Sequence, residues 1–478
     1  MPSSASPSPR GTLVASALGF VVVLLDVSVV NVALEALRRD LGASVTQLEW
    51  IVNAYTLAFA ALLLSSGALG DRWGARRLFL AGLAVFTLAS AACGAAPGLA
   101  ALTGARLLQG AGASLLVPNS LSMLQRAFPD PARRSRAVGW WGAIGSLALA
   151  AGPVLGGVLV THWGWRSIFL VNLPIGLLGG CLALRYAAPD GARPESTHRP
   201  DWAGQSAAVL SLAALTATLT EMARLGWTSA WVQAGLAVSA LSVAGFCRIE
   251  RRSPAPMLPL SLFRRPAFAI ASVTGVIVNF SYYGLIFVFS LFFQIEQGLT
   301  PQQTGFAFLP FTLALMAASV LAGRLVTRLG ARLLMVLGAT AAATGYLLLL
   351  PVHVGVGYGW LVAPMLLAAG GIAVLVPTMT NVTLSSVEAT RTGIASGVLN
   401  AARQLGGLSG VAVFGYLVRN TEPGPFMHGM HGSIGLAALA LAGAGALCWV
   451  GLERRGRQPG ESPAIRDQGD RSFLAGKQ

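Results

Sequence analysis

Fourteen stretches of this chain are apolar over about the 20 residues that a helix needs to cross a bilayer. They fall near 11–34, 48–69, 77–97, 99–121, 137–161, 166–187, 203–223, 230–248, 267–293, 303–323, 333–351, 357–380, 392–418 and 432–453. In hydrocarbon, backbone donors and acceptors must pair within the protein, so runs of this length are constrained to be helices. Of the 478 residues, 54% are hydrophobic and only 11% are charged. That balance is too apolar for the surface of a soluble protein of this size. The fold class expected is all-α integral membrane.

The formal charge of +15 raises the question of a polyanionic partner. Its distribution answers otherwise. With an even number of spans both termini share one side. If that side is the cytoplasm, cytoplasmic segments hold 26 Arg and Lys, helix interiors two (Arg106 and Arg403) and external loops five: Arg38, Arg39, Arg166, Arg224 and Arg419. The asymmetry follows the positive-inside rule and predicts cytoplasmic termini in a cell (inner) membrane. Basic loops then face anionic lipid headgroups. No basic stripe is interleaved with exposed aromatics, so no nucleic-acid partner is expected. Cys93, Cys181, Cys247 and Cys448 lie in or at the ends of apolar spans without a CxxC, which reads as small buried residues.

Charge also divides the chain. Six spans occupy 1–187, linkers and two further spans 188–266, and six more 267–453; the polar tail 454–478 is expected to be disordered. Two repeats cross this division. GALGDRWGARR, Gly67 to Arg77, has a weaker copy in GRLVTRLGARL, Gly323 to Leu333, offset by 256 residues. LLQGAGASLLVP (107–118) aligns with LLAAGGIAVLVP (366–377), offset by 259. Small residues at matching places in two halves predict two homologous bundles of closely packed helices, with two extra helices between them.

These motifs resemble the major facilitator superfamily, specifically its fourteen-helix drug–proton antiporter branch, over nearly the whole chain. LDVSVVNVAL (25–34) is similar to the first-helix signature, WIVNAY (50–55) to the second-helix pattern and GALGDRWGARR to the loop between helices 2 and 3. ARLLQGAGAS (105–114) is similar to the fourth-helix Arg motif and AGPVLGG (151–157) to the antiporter motif of helix 5. That last motif usually opens with Gly where Ala148 stands here. The resemblance implies two six-helix bundles plus two extra helices, and alternating access.

Single residues carry the chemistry. Asp26 sits in the middle of the first span, where a charge costs about 2.5–3.5 kcal/mol, so it is expected to face a wet cavity or a partner. Arg106 stays charged and biases a nearby carboxyl. With the resemblance, both are assigned to proton coupling; the alternative is a structural ion pair. A substrate cavity is expected from Asn31, Asn53, Tyr55, Gln109, Trp140, Asn279, Tyr282, Tyr283, Asn400, Arg403 and Gln404, several of which share helix faces at i, i+3 and i+4. Gly67, Asp71, Arg72, Gly74, Arg76 and Arg77 form an expected latch between the bundles. Gly152, Pro153, Gly156 and Gly157 form the antiporter helix, with a kink expected at Pro153.

The function expected is proton-coupled efflux of small amphipathic drugs or antibiotics, neutral or singly cationic. Export of an endogenous metabolite, siderophore or lipid is the alternative, and uptake a more distant one. The five histidines lie in loops or linkers and no GxxxxGK[ST] occurs, so neither a membrane enzyme nor an ATP-driven pump is expected. The energy source is a proton gradient with no cofactor and no metal. The partners are substrate, protons and lipid, and the chain is expected to be a monomer.

Overall fold

The computed structural model describes residues 8–190, 202–226, 228–253, 258–388 and 392–452, and the side chains of a few helical residues, Asp71 among them, fall outside the description. Most of the linker 188–201 and the tail 454–478 therefore lie outside the described residues. The first half holds α1 (Pro9–Leu41), α2 (Val45–Trp73), α3 (Ala75–Gly94), α4 (Leu99–Ala127), α5 (Pro131–Trp163), α6 (Ser167–Leu170) and α7 (Asn172–Tyr186). A hairpin follows, α8 (Trp202–Leu225) and α9 (Ala230–Arg252). The second half holds α10 (Pro266–Leu291), α11 (Pro301–Ala307), α12 (Leu309–Leu329), α13 (Ala331–Leu347), α14 (Tyr358–Ser385), α15 (Thr392–Leu417) and α16 (Pro423–Gly451).

Local sequence sets the helix ends. Ser8 caps α1 with Pro9 behind it, and Gly42 ends the helix at φ +61°. Ser44 and Gln47 form a capping box on α2, as Thr300 and Gln303 do on α11. Among the described residues nine segments are long and apolar enough to span a bilayer unaided. Five more, α2, α4, α12, α13 and α15, pack among them and complete fourteen. The α4 helix carries the polar Arg106, Gln109 and Asn119, and α13 is apolar but only 17 residues long, so neither is both long and apolar enough by itself. Leu88, Leu108, Leu241 and Leu439 are exposed on the outer surface, as a lipid-facing belt requires.

The helix neighbours repeat. The pairs α1–α5, α2–α4, α3–α4 and α3–α7 recur as α10–α15, α12–α14, α13–α14 and α13–α16. At α3–α4, a Cβ on Gly112 would stand 2.6 Å from Phe86 N; at α13–α14, a Cβ on Gly371 would stand 2.4 Å from Ala342 N. Glycine is what lets both backbones touch. Gly74 and Gly330, the repeated loop glycines, both take positive φ, +107° and +81°. The hairpin α8–α9 lies over the junction of α2 with α15.

The halves meet at the end away from the termini, called here the far end. Between described residues, the cross-half hydrogen bonds are Ser290 Oγ to Asn31 O and Gln302 N to Thr161 Oγ1. Glycines close the same seam. Gly157 backs on Pro301 and Gln302, Gly305 on Pro153, and Gly415 on Glu49. The α5 helix runs unbroken through Pro153.

Candidate functional site

Asp26 has no exposed surface, and Arg106 is 1% exposed. Arg106 Nη1 donates to Asp26 Oδ2 and, at 2.7 Å, to Gln109 Oε1; its Nε donates to Ile51 O at 3.0 Å. Gln109 Nε2 donates to Asp26 Oδ1 at 2.7 Å and Ser90 Oγ at 2.9 Å, and Asn172 Nδ2 reaches the same carboxylate oxygen at 3.3 Å. The guanidinium lies over the Tyr55 ring, 4.4 Å from its centre. Five segments, α1, α2, α3, α4 and α7, thus converge on one ion pair. Such a pair is tolerated in a dry interior because remaining donors and lone pairs are filled.

This geometry corrects three cavity assignments. Gln109 is fully buried beside Asp26, Tyr55 is 1% exposed beneath Arg106, and Asn53 is fully buried with its Nδ2 on Thr220 Oγ1 of α8. All three point into helix contacts within the first half or toward the hairpin. Asn279 likewise bonds its own helix at Gly275 O and is 4% exposed.

The pocket between the halves is lined by Val27, Ser28, Asn31, Leu149, Pro153, Tyr282, Tyr283, Ile286, Phe308, Phe311 and Thr312. It is aromatic, with few polar groups. Asn31, Tyr282 and Tyr283 are among these lining residues. Trp140 is not: it is 65% exposed, while Trp141 is 8% exposed and stacks on Phe20. At about 100° per residue, nine residues from Leu149 turn Trp140 to the opposite side of α5, toward lipid. Arg403 sits on α15 with its Cγ by Gly275, beside Tyr282 and Tyr283; its Nε is buried and unbonded. Asn400 and Gln404 on the same helix are half-buried.

The loop motif binds within its own half. The backbone N–H groups of Arg76 and Arg77 donate to Asp190, which also pairs with Arg126 at 2.8 Å. Arg76 Nη2 donates to Leu184 O. Gly74 faces the Asp190 carboxylate, Gly67 is near Pro118, and Arg72 is exposed. The side chain of Asp71 lies outside the described residues. An acid from the linker after α7 therefore caps α3, and the described contacts of Arg76 and Arg77 lie within the first half. In α5, Gly152 and Gly156 pack on Ser28 and Val29 of α1, while Gly157 meets α11.

Two further residues carry signals the sequence reading passed over. Asp190 stood in a linker with no periodicity. Glu49 adjoins the WIVNAY pattern, yet it is fully buried against Gly415 with neither carboxyl oxygen bonded. Its polar neighbour is Glu221, which accepts from Trp50 Nε1 at 2.9 Å and pairs with Arg224. Among the described residues no group of His, Cys, Asp and Glu is placed to hold a metal.

A helical membrane protein of two repeated halves, with a buried ion pair in one and a pocket between them, has the build of a carrier. The chain belongs to the Major Facilitator Superfamily, whose model matches residues 16–411. It is 39% identical over 410 residues to the multidrug resistance protein Stp of Mycobacterium tuberculosis, covering 84% of this chain and 75% of that one. It is 37% identical over 452 residues to the methylenomycin A resistance protein of Streptomyces coelicolor, covering 94% of each. A D-xylose–proton symporter shares its fold with a TM-score of 0.67 at 14% identity, over 93% of this chain and 98% of the other.

Proposed function

We propose that this carrier exports small amphipathic drugs or antibiotics across the cell membrane by alternating access, driven by protons. The observation that carries the reading is the aromatic pocket at the seam, walled by α1 and α5 of one half and by α10, Phe308 and α12 of the other. A mostly apolar pocket with a few oriented polar groups suits an amphipathic organic molecule. Similarity to resistance proteins along most of the chain supports the outward direction.

With the termini in the cytoplasm, the closed far end is external and the described state faces inward. Asp26 and Arg106 are the proposed proton-coupling pair. A proton on Asp26 removes its charge and weakens its bond to Arg106, whose guanidinium keeps Gln109 and Ile51. Asp26 lies on α1 just before Val27, Ser28 and Asn31, which line the pocket, so a shift of α1 links the proton to the seam. Within the linker-and-hairpin segment 188–266, helix α8 packs on the α2–α15 junction between bundles 1–187 and 267–453, and the transporter works as a monomer.

Everted membrane vesicles loaded with a dye and antibiotic panel test this. An imposed pH gradient should drive uptake into the vesicles, and an uncoupler should cancel it. Uptake that ignores the uncoupler would refute proton coupling, and accumulation in energised whole cells would reverse the direction.

A further inference from the structure

We propose that the pocket between the halves takes amphipathic molecules bearing a negative charge, a carboxylate on an apolar body, received by Arg403 with the phenols of Tyr282 and Tyr283. This rests on the export reading above and names its substrate class, replacing the neutral or cationic molecule that the sequence suggested.

The charges around this cavity are of one sign. None of the residues lining the pocket is acidic. Asp26, the acid expected to meet a cation, has no exposed surface and both its oxygens are bonded, to Arg106 and to Gln109 and Asn172. Glu49 is sealed against Gly415, away from the pocket lining. A cationic molecule entering here finds no described carboxylate to meet it.

The cation is on the protein instead. Arg403 lies midway along α15 and stays charged; it is not itself one of the lining residues, but stands one turn from Gly407, which packs on the Tyr283 ring. Arg106 has Asp26, Gln109 and a backbone carbonyl; Arg403 forms no ion pair or hydrogen bond with a described residue, and its buried Nε has no acceptor. The hydroxyls of Tyr282 and Tyr283, both on the pocket, are likewise not bonded to another described residue. Asn31 and Ser28 spend their donors on carbonyls of their own helix. What remains is one guanidinium, which can only donate, and two phenol hydroxyls, which donate or accept, none of them bonded to a described residue. An unpaired guanidinium in the membrane interior is costly, and an anionic ligand relieves that cost where a neutral one does not.

Three probes test the site: 1-pyrenebutyrate, its methyl ester and a quaternary ammonium amide of the same acid. Binding to purified protein, read by pyrene fluorescence, should favour the carboxylate by about tenfold, the worth of one charge-assisted hydrogen bond. Arg403→Gln should erase that preference and leave the other two within about twofold, while Arg403→Lys should retain it. Equal loss for all three probes in a folded Arg403→Gln protein, or a wild-type preference for the ammonium form, would overturn the proposal. Transport of the same probes under a pH gradient keeps the two readings apart. Carboxylate preference in binding without transport sustains the site and refutes export. Transport of ester and ammonium forms without carboxylate preference does the reverse.

Discussion

Replacing Gly305 with Ala should open the far-end seam. Gly305 lies in α11 with its Cα against α5, and a Cβ there would stand 2.2 Å from Pro153 O and 2.9 Å from Pro153 C. Ordinary contact begins near 3.4 Å, and both neighbours are backbone, so no side chain can swing away. The two helices must part by about 1 Å, and overpacking of this kind costs about 1–3 kcal/mol. The penalty falls only on the state in which α5 and α11 touch. The gain in helix propensity, up to about 1 kcal/mol, applies to both states and cancels. The equilibrium should therefore move about 5- to 150-fold toward the seam-open state. In a cysteine-free background, Ile286→Cys places a thiol on the pocket wall. Impermeant maleimide applied from the far side should label it faster in the Gly305→Ala protein, and from the terminus side more slowly. Gly443→Ala, where a Cβ meets nothing within 4 Å, is the control. Unchanged labelling from both sides in well-folded Gly305→Ala protein would refute the reasoning that this contact holds the seam.

Asp26→Asn should destabilise the protein by about 3–5 kcal/mol as well as uncoupling transport, because it strands the buried Arg106; Asp26→Asn with Arg106→Gln should recover most of the lost thermal stability without recovering transport, and no recovery would argue against a simple ion pair. Glu49→Met should raise the melting temperature, since it removes two unbonded buried oxygens worth about 1–3 kcal/mol and keeps similar volume; a fall would mean that the carboxyl has a partner. Asp40 accepts from the Trp165 indole at 2.7 Å and the Arg166 guanidinium at 3.2 Å, and these bonds hold its carboxyl below the usual carboxylate range. A depressed folded value stabilises above the unfolded one, about 4, and that contribution fades as pH falls through the folded value. The melting-temperature gap between wild type and Asp40→Asn should accordingly shrink below about pH 4, and a gap independent of pH would exclude this tie.

The helices and their repetition were legible in the sequence because a bilayer leaves little choice. Apolar runs must satisfy their backbones internally, and the hairpin charges of Gly67 to Arg77 must reach water. Repeated small residues at Gly112 and Gly371 foretold the close α3–α4 and α13–α14 contacts, since only glycine lets those backbones approach. Which way each side chain points was not legible. In a soluble helix polarity marks the outer face, but in lipid the outer and buried faces are both apolar, so no stripe separates them. Hence Trp140 and Trp141 read alike, although one faces lipid and the other stacks on Phe20. The same ambiguity sent Gln109, Asn53 and Tyr55 to a cavity they do not line. Asp26 and Arg106 could each be recognised as charges needing partners. Only the packing of α1 against α4 decided that they are partners to each other, and only the tertiary structure left Arg403 and Glu49 without one among the described residues. Pairing across segments is a property of distance between chains far apart in sequence, and tertiary structure alone sets it.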